Sequence, residues 1–460
     1  MDDTIAAIAT PTGVGGIGKI RVSGPEALLV GARVFRNAKN KKLEQVKSHT
    51  IHYGSLINPE TDVTIDQVVA LVFKEPHSFT GENVVEFDCH GGSLVLKKVL
   101  EVILDNGVRL AEPGEFSRRA FVNGKMDLSQ AESIMDIINA KTEKSLEIAL
   151  DQLTGQLSAE INSLRQQVIS LLAHLEAAID FPEDEINGFS TAEIGSRIEE
   201  IKKGINKLLE TSNRGKMFKE GIRTVIAGKP NVGKSSLLNY LLEEKRAIVT
   251  DVPGTTRDTI EELVNIEGIP LQIIDTAGLR ATEDAVEKIG VEKTRSSLQK
   301  ADLALFILDL SQGIENEDLT VYNLIKDKPL IVLVNKTDLE EKKITTEEIK
   351  KYFSGHRCIR ISIKKQEGLL ELKENIIEEI MKEEINSNHD ILISNLRHQQ
   401  ALEKARQAIG NAKESYNNEM PFDFLTIDLK ACLEQLGRIT GETVSEDIID
   451  QIFSDFCLGK

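Results

Sequence analysis

Residues 222–235 read Ile222-Arg-Thr-Val-Ile-Ala-Gly228-Lys-Pro-Asn-Val-Gly-Lys-Ser235, a β-branched run followed by the phosphate-loop pattern G-x-x-x-x-G-K-[ST]. The run predicts a buried strand, and a helix is predicted from Lys234 to Leu242. In such a strand–loop–helix unit, backbone N–H groups and the start of the helix direct positive potential at phosphate groups. The segment therefore predicts a nucleotide site in a parallel α/β sheet, with Lys234 on the β- and γ-phosphates and Ser235 on Mg²⁺.

Two segments further along the chain supply groups for the phosphates and the metal: Gly254-Thr-Thr256 and Asp275-Thr-Ala-Gly278. Thr256 is predicted to be the second hydroxyl ligand of Mg²⁺. Asp275 ends an apolar run that starts at Leu271, so its carboxylate is predicted at a strand end near the metal. The N–H of Gly278 is predicted to contact the γ-phosphate.

A fourth segment, Asn335-Lys-Thr-Asp338, follows a strand pattern at residues 330–334. The carboxyl ends of parallel strands are where open α/β sheets bind ligands. The Asp338 carboxylate can accept hydrogen bonds from N1 and N2 of guanine, and adenine lacks this pair of donors, a mismatch that can discriminate by about 10⁴-fold or more. Ser362-Ile363-Lys364 follows another strand pattern, at residues 358–361, and predicts a further guanine contact. The ordered set of segments predicts binding and hydrolysis of GTP.

The residues predicted to bind GTP are Asn231, Val232, Gly233, Lys234, Ser235, Ser236, Thr250, Asp251, Val252, Pro253, Gly254, Thr255, Thr256, Asp275, Thr276, Ala277, Gly278, Asn335, Lys336, Thr337, Asp338, Ser362, Ile363 and Lys364.

Hydrolysis needs a group that positions water, and many small GTPases have glutamine where this chain has Leu279. The sequence leaves three candidates open for the group that positions water: Glu283, Asp284 and Glu287. Each could instead be a solvated carboxylate at the start of a helix. The positive charge of an arginine finger has to come from Arg257 or Arg280, or from a monovalent cation. The presence of Asn231 inside the phosphate loop favours the monovalent cation. Its side-chain oxygen and backbone carbonyls of residues 250–255 would hold that cation against the phosphates.

Composition restricts the class of protein. The chain has a formal charge of −18, 40% hydrophobic residues and four scattered cysteines without a C-x-x-C pair, which disfavours zinc sites and disulfides. No apolar run reaches the ~18 residues of a membrane span, and the first residues lack the basic region of a signal peptide. We expect a cytoplasmic protein whose contact with nucleic acid needs a local basic patch or a basic partner.

The pattern along the chain predicts a multidomain α/β plus all-α protein. Residues 1–118 alternate strand and helix patterns and predict a small mixed α/β domain. Residues 119–218 and 381–460 predict two halves of a helical domain, and residues 219–380 predict a Ras-like P-loop GTPase domain inserted between them and preceded by Gly215 and Gly221. Gly13-Val-Gly-Gly-Ile-Gly18 matches the dinucleotide fingerprint, but a strand pattern follows it where a helix is required, so that interpretation is rejected.

Segments outside the GTPase motifs resemble the MnmE (TrmE) family of tRNA-modification GTPases over essentially the full length. The segments are Thr10-Pro-Thr-Gly13, Ser78-Phe-Thr-Gly-Glu-Asn-Val-Val-Glu86, Cys89-His-Gly-Gly92, Pro113-Gly-Glu-Phe116, Asn123-Gly-Lys-Met-Asp-Leu-Ser-Gln-Ala-Glu132 and Phe456-Cys-Leu-Gly-Lys460. The resemblance implies a folate-binding-like N-terminal domain that also forms a homodimer. It further implies a heterotetramer with the flavoprotein MnmG, which carries FAD, and tRNA as the substrate.

The same resemblance implies chemistry for named residues. It assigns K⁺ to Asn231, Thr250, Val252 and Thr255, and it makes Glu287 the acid that orients the attacking water. It implies that 5-formyltetrahydrofolate or a related tetrahydrofolate contacts Arg21, Glu86, Lys125 and Lys460, and that Cys457 is required for modification. The product would carry a carboxymethylaminomethyl or aminomethyl group at C5 of the wobble uridine.

Competing interpretations of these residues remain. Arg21 on a strand is also typical of a surface ion pair, and Cys457 of a buried helix cysteine that acts as a small hydrophobe. For the whole chain, the alternatives are a regulatory GTPase of ribosome assembly, in which the N-terminal domain serves only dimerisation, and a GTP-switched scaffold without chemistry of its own.

Overall fold

The computed structural model describes residues 3–11, 13–37, 42–181, 191–244, 262–274, 301–380 and 391–460. The chain forms two compact units. The first comprises Met1–Met135, Gln152–Ile201 and Lys404–Lys460, and the second comprises Asp136–Asp151 and Lys202–Glu403. The bounds of the four segments predicted from the sequence stay predictions.

A twisted sheet forms the N-terminal part of the first unit. Its strands are β1 (Ile5–Ile8), β2 (Ile17–Ser23), β3 (Phe35–Asn37), β4 (Thr50–Asn58), β5 (Val63–Phe73), β6 (Val84–His90) and β7 (Arg109–Leu110). Their order is β3-β4-β5-β6-β2-β1-β7, and neighbours are antiparallel except β1 and β7. Helices α1 (Ala27–Val34) and α2 (Ser93–Asp105) contribute to the core beside this sheet.

The residue pattern explains this layer. In β5, Val68, Ala70 and Val72 are buried at every second position, the period of a strand with one face in the core. In α2, Leu96, Val99 and Val102 are buried at every third position, which places them on one helical face. The segment Gly13–Gly18 runs into strand β2, so the rejection of a dinucleotide-binding helix there is confirmed.

Further helices lie in the first unit and in the parts of the second unit that adjoin it in sequence. They are α3 (Glu115–Val122), α4 (Leu128–Asn139), α5 (Glu143–Leu153), α6 (Gln156–Asp180), α7 (Thr191–Glu210) and, later in the chain, α13 (Leu396–Asn417), α14 (Phe422–Thr440) and α15 (Glu446–Ser454). Helix α14 packs along α6. Phe453 and Phe456, at the end of α15 and just after it, share a buried cluster with Leu128 and Ala131 of α4.

The second unit contains a mainly parallel sheet. Its strands are β8 (Ile222–Ala227), β9 (Glu262–Ile266), β10 (Ile269–Ile274), β11 (Leu303–Asp309), β12 (Leu330–Asn335) and β13 (Arg357–Arg360), and its helices are α8 (Ser212–Glu220), α9 (Lys234–Glu244), α10 (Asn316–Ile325), α11 (Thr346–Tyr352) and α12 (Leu369–Ile380). The order is β13-β12-β11-β8-β10-β9, with only β9 and β10 antiparallel.

Both faces of this sheet are covered. Every residue of β11 and β12 is buried, which explains why both strands are near-continuous hydrophobic runs in the sequence. Two hydrophobic clusters, one on each alternating set of side chains, enclose the sheet. Strand β8 lies between β10 and β11, so the phosphate-loop segment leaves the sheet at its centre, at the carboxyl end of a parallel strand.

The two glycines predicted to flank the α/β segment lie in and after helix α8. Gly215 lies inside α8, and a Cβ atom there would overlap the backbone carbonyl of Ile393. Gly221, with φ of 86°, is the residue that ends α8. Within the described ranges, no helix has the length and apolar composition needed to cross a membrane.

Candidate functional site

The phosphate-loop segment lies between β8 and α9, as the sequence predicted. Helix α9 begins at Lys234, and Gly228, Asn231 and Gly233 all have positive φ, of 147°, 63° and 112°. A Cβ atom on Gly233 would overlap the Asn335 side-chain amide and lie 3.3 Å from Cδ1 of Ile363. The backbone therefore turns in a way that requires glycine at positions 228 and 233, as the phosphate-loop pattern specifies.

Lys234 is held by its own loop. Its Nζ donates hydrogen bonds to the carbonyl oxygens of Gly228, at 2.9 Å, and Lys229, at 2.6 Å. Burial lowers the pKa of Lys234, with only a small opposing effect from Glu317. An ammonium group has one further N–H for a phosphate oxygen, and phosphate charge would raise that pKa again by stabilising the protonated form.

Asn335, at the end of β12, connects the phosphate loop to the segment at residues 362–364. Its side chain is 3% exposed, and its Nδ2 donates to the carbonyl of Val232 at 2.8 Å. Its Oδ1 accepts from the backbone N–H of Ile363 at 3.4 Å. Residues that are far apart in sequence are thus joined by one buried amide side chain.

Asp338 and Ser362 meet on the same side of the sheet. The Ser362 hydroxyl donates to Oδ1 of Asp338 at 2.8 Å and accepts from the N–H of Lys365 at 3.2 Å. This hydrogen bond, with smaller contributions from Lys364 and Lys365, lowers the pKa of Asp338, although burial opposes the shift. The carboxylate is ionised and oriented at neutral pH, as acceptance of two guanine N–H groups requires.

The remaining predicted residues of this group lie around the same loops. Val232 is buried, Ser235 and Ser236 are exposed on the first turn of α9, and the exposed Lys364 follows Ser362. The N–H of Thr337 donates to the carbonyl of Ile361 at 3.3 Å, which joins the two loops predicted to bind the base.

Lys336 points its ammonium at a residue that the sequence analysis did not select. Its Nζ lies 2.7 Å from Oδ2 of Asp309, the last residue of β11. Asp309 could have been found from the sequence alone, because an aspartate follows an apolar run there, the same sequence pattern as at residues 271–275. Lys229 was likewise treated only as a loop position, and its side chain pairs with Glu315 and Asp318.

Several predicted residues lie outside the described ranges. They are Thr250, Asp251, Val252, Pro253, Gly254, Thr255, Thr256, Asp275, Thr276, Ala277, Gly278 and Glu287, together with the alternatives Arg257, Arg280, Glu283 and Asp284.

A second polar site lies in the first unit. Glu86 of β6 accepts from Arg21 Nε at 2.8 Å and from Lys19 Nζ at 2.6 Å, and Lys19 is also 3.0 Å from Asp88. Burial would raise the pKa of Glu86, but the hydrogen bonds and charges of Lys19 and Arg21 outweigh it and hold that pKa below its usual value. The Arg21 and Glu86 side chains are only 15% and 12% exposed, so this pair is not the surface ion pair of the alternative interpretation.

Two aromatic rings adjoin this pair. The Arg21 guanidinium carbon lies 5.2 Å from the ring centre of Phe79 and 5.5 Å from that of Phe116. The backbone N–H of Phe116 donates to the carbonyl of Lys460 at 3.1 Å, which brings the C-terminal Cys-Leu-Gly-Lys segment to the same region. Arginine, carboxylate and flat rings at one place can bind a planar heterocycle with carboxylate groups.

Lys125 was predicted for the same site as Arg21 and Glu86, and Cys457 was predicted separately, as a residue required for modification. Lys125 Nζ donates to the carbonyl of Pro76 at 3.1 Å, at the start of the loop that carries Phe79. Among the four cysteines, all within the described ranges, only Cys457 is exposed, and it follows the end of α15. It is therefore not the buried helix cysteine of the alternative interpretation. By contrast, burial raises the pKa of the Cys432 thiol to about 12.

A phosphate loop after the central strand of a parallel sheet, with Asn-Lys-x-Asp at the end of a nearby strand, defines a P-loop GTPase. Comparison with known proteins narrows this class. The family model "MnmE helical domain" matches residues 128–457, and "GTP-binding protein TrmE N-terminus" matches residues 4–125. The chain belongs to the MnmE (TrmE) family of tRNA modification GTPases.

Relatives match along the whole chain. Proteins named tRNA modification GTPase MnmE are 52% identical in Desulforamulus reducens and 49% identical in Clostridioides difficile, and in both cases all of this chain and all of the relative are covered. The protein of that name from Bacillus subtilis is 46% identical with the same coverage. A solved structure, the G domain of the T. maritima FeoB iron transporter, is 29% identical over 34% of this chain and 98% of its own, with a TM-score of 0.26, too low to argue from.

Proposed function

We propose that this chain hydrolyses GTP in a K⁺-dependent reaction and, with the flavoprotein MnmG, modifies C5 of the wobble uridine in certain tRNAs. The group added is carboxymethylaminomethyl or aminomethyl, and a folate supplies the carbon. The observation that carries this proposal is the presence in one chain of two separate polar sites, one built on the phosphate loop and one on the Arg21–Glu86 pair. A simple GTP switch has no need of the second.

The first part of the proposal is selective binding of GTP. Lys234 and the N–H groups of the phosphate loop take the phosphates, and Ser235 and Thr256 hold Mg²⁺, which neutralises phosphate charge when bound. Asp338 takes the guanine N–H groups, and its ionised, Ser362-bound state supports this assignment. ATP would leave that carboxylate unmatched, and the penalty for such a mismatch is about 10⁴-fold or more.

The second part is activation by K⁺. The proposed ligands are Asn231, Thr250, Val252 and Thr255, with Glu287 orienting the attacking water. What supports this is the position of Asn231, which is exposed and has a left-handed backbone inside the phosphate loop, where its side chain is available to a cation beside the phosphates. K⁺ would supply the positive charge that other GTPases take from an arginine finger.

The K⁺ assignment is tested by comparing GTP hydrolysis in KCl and NaCl for the parent chain, Asn231→Ala and Asn239→Ala. Asn239 is an exposed asparagine on α9 and serves as the matched control. We expect only Asn231→Ala to lose the stimulation by K⁺ while GTP affinity is kept. Equal rates of the parent chain in both salts would remove K⁺ from the proposal.

The third part is folate binding at the second polar site. Arg21, Lys125 and Lys460 are cations suited to the glutamyl carboxylates, and Glu86 is an acceptor suited to the N–H edge of a pterin. The rings of Phe79 and Phe116 beside Arg21 support a flat ligand. Arg21 and Glu86 already bond to each other, so a bound folate would have to contact both members of this ion pair. The affinity for folate should therefore depend on both residues.

Titration with 5-formyltetrahydrofolate tests this site. Arg21→Gln should weaken binding by about tenfold or more, the scale of a lost charge-assisted hydrogen bond. Arg36→Gln, on the exposed side of β3, is the matched control and should bind like the parent chain. Binding that is insensitive to Arg21 would contradict the folate assignment and favour an N-terminal domain used only for dimerisation.

The proposal includes partners. We propose a homodimer formed through the N-terminal domains, a heterotetramer with MnmG as the carrier of FAD, tRNA as the substrate, and a cytoplasmic location. Cys457, the exposed first residue of the C-terminal Cys-Leu-Gly-Lys segment, is proposed to take part in the modification.

A further inference from the structure

The segment from the end of β11 to the first turn of α10, residues 309–318, carries a buried carboxylate at each end. Each carboxylate pairs with a lysine that belongs to a GTP-binding segment. We propose that Asp309 and Asp318 are positioning residues of the nucleotide site, which hold the base-binding segment through Lys336 and the phosphate loop through Lys229. The inference rests on the GTP site proposed above and adds two residues that none of its motifs contains.

Asp309 holds Lys336. Its side chain is 1% exposed, and its Oδ1 accepts from the N–H of Ser311 at 3.0 Å and from the hydroxyl of Ser311 at 2.7 Å. Its Oδ2 lies 2.7 Å from Nζ of Lys336. Burial would raise the pKa of Asp309, but Lys336 and Ser311 outweigh burial and lower it, so the carboxylate is charged.

Tethering of Lys336 has a consequence for the base. Lys336 stands between Asn335 and Asp338 and has φ of 67°, a conformation that a lysine adopts at a cost. If its ammonium left Asp309, a buried carboxylate would lose its charged partner, which is strongly unfavourable. The side chain is thereby fixed across the end of β11, and the backbone that presents Asp338 is fixed with it.

Asp318 holds Lys229 in the phosphate loop. The Lys229 side chain is 6% exposed, and its Nζ lies 2.9 Å from Oδ2 of Asp318 and 2.8 Å from Oε2 of Glu315. The same Oδ2 accepts from the N–H of Glu315 at 3.0 Å, as part of the capping box at the start of α10. Burial would lower the pKa of Lys229, but the two carboxylates outweigh burial and raise it.

The Lys229 contact reaches the phosphate-binding lysine. The carbonyl of Lys229 accepts from Nζ of Lys234 at 2.6 Å, so the side chain and the carbonyl of one residue connect Asp318 to Lys234. Lys229 therefore does not offer its charge to phosphate, although it lies in the phosphate loop. It anchors the loop to α10 instead.

Fold stability alone is a weak explanation for these two pairs. Removing two charges from water costs about as much as their attraction returns, so buried ion pairs are often no more stable than hydrophobic replacements. Both lysines lie in segments that contact the nucleotide in the proposed site. Positional control of those segments explains the placement of the charges, which stability does not.

The test is a set of double-mutant cycles on the full chain, with the dissociation constant of a fluorescent GDP analogue as the readout. We expect Asp309→Asn to weaken GDP binding by about tenfold, the scale of one charge-assisted hydrogen bond. It should also raise KM for GTP more than it lowers kcat. Asn keeps the shape of the side chain and an acceptor for Ser311, so the change removes mainly the charge.

The cycle separates positioning from stability. In a Lys336→Met background, Asp309→Asn should cause no further loss of GDP affinity, and it should restore thermal stability because it removes an unpaired buried charge. Asp318→Asn should weaken GDP binding in the parent chain and have no further effect in a Lys229→Met background. Glu341→Gln, which breaks the exposed pair with Lys343, is the matched control and should bind GDP like the parent chain.

Three outcomes would overturn the inference. GDP affinities of Asp309→Asn and Asp318→Asn equal to that of Glu341→Gln, with GDP bound normally by the parent chain, would refute the positioning roles and leave the GTP site standing. Additive losses in the cycles would assign the carboxylates a general structural role. Absence of GDP binding by the parent chain would remove the proposed GTP site and this inference together.

Discussion

Replacement of Gly233 by alanine should damage both the fold of the second unit and nucleotide binding. Gly233 has φ of 112°, and a left-handed backbone costs a residue with a Cβ about 1–2 kcal/mol. The new Cβ would also overlap Nδ2 of Asn335, which donates to the carbonyl of Val232. Loss of that buried hydrogen bond adds about 1–3 kcal/mol. Together the two effects should lower the free energy of unfolding by about 2–5 kcal/mol.

Gly355 provides a matched control for the backbone term. It has φ of 99°, and a Cβ there would meet nothing within 4 Å. Gly355→Ala should therefore cost only the left-handed conformation, about 1–2 kcal/mol, and leave GDP affinity unchanged. The difference between the two variants in the free energy of unfolding therefore measures the effect of the collision with Asn335.

Calorimetry of the full chain with and without GDP measures both effects. The transition that moves on addition of GDP belongs to the nucleotide-binding unit, because a ligand stabilises the state that binds it. Gly233→Ala should lower this transition further than Gly355→Ala and should weaken GDP binding by about tenfold or more, the order of a displaced buried hydrogen bond. Equal shifts and equal affinities for the two variants would refute the reasoning.

Three further predictions concern single residues. Asp338→Asn should weaken GTP binding and favour XTP, because the side-chain amide can donate to the oxygen at C2 of xanthine. Competition between the two nucleotides measures this preference. An unchanged preference for GTP would count against Asp338 as the base-binding residue. Gly459→Ala, at φ of 90° and with a Cβ that would overlap the carbonyl of Ile8, should lower thermal stability, and a folate titration should show weaker binding if the C-terminal segment is displaced. The lowered pKa of Glu86 stabilises the fold above the ordinary pKa of 4.5 and that contribution is lost as the pH falls through the folded pKa. The stability difference between the parent chain and Glu86→Gln should therefore shrink from about pH 6 to about pH 3, and a constant difference would mean that the charge of Glu86 is not the stabilising feature.

In the second unit, the sequence predicted strands β8, β10, β12 and β13 and helix α9, because the signals of these elements are strong. A fully buried strand such as β12 requires a long apolar run, and the phosphate loop requires glycine at fixed positions, so composition and spacing are both visible. The predicted strand at residues 358–361 differs from β13 by one residue at each end. Strand ends depend on hydrogen bonding to the neighbouring strand, which a single sequence does not display.

Features that depend on distant contacts were not predicted. The need for glycine at position 215 in helix α8 comes from the close approach of the carbonyl of Ile393, which lies far along the chain and is not visible from the sequence. Asp309 and Asp318 were missed because their importance comes from which lysines they contact. Arg119, fully buried among Asp3, Glu82 and Glu115, was missed for the same reason. Pairing of buried charges is a property of the fold, and the sequence shows only the charges.

Mass spectrometry of wobble uridines tests the central claim most directly. The tRNA should come from cells that lack this protein and are complemented with the parent chain, with Cys457→Ser or with Cys358→Ser. Cys358→Ser is the matched control, because that residue is a half-buried cysteine of the second unit. The account predicts that the C5 modification is lost without the protein, is restored by the parent chain and by Cys358→Ser, and is not restored by Cys457→Ser. Unchanged uridines in every strain would contradict it and would favour a GTPase with another role.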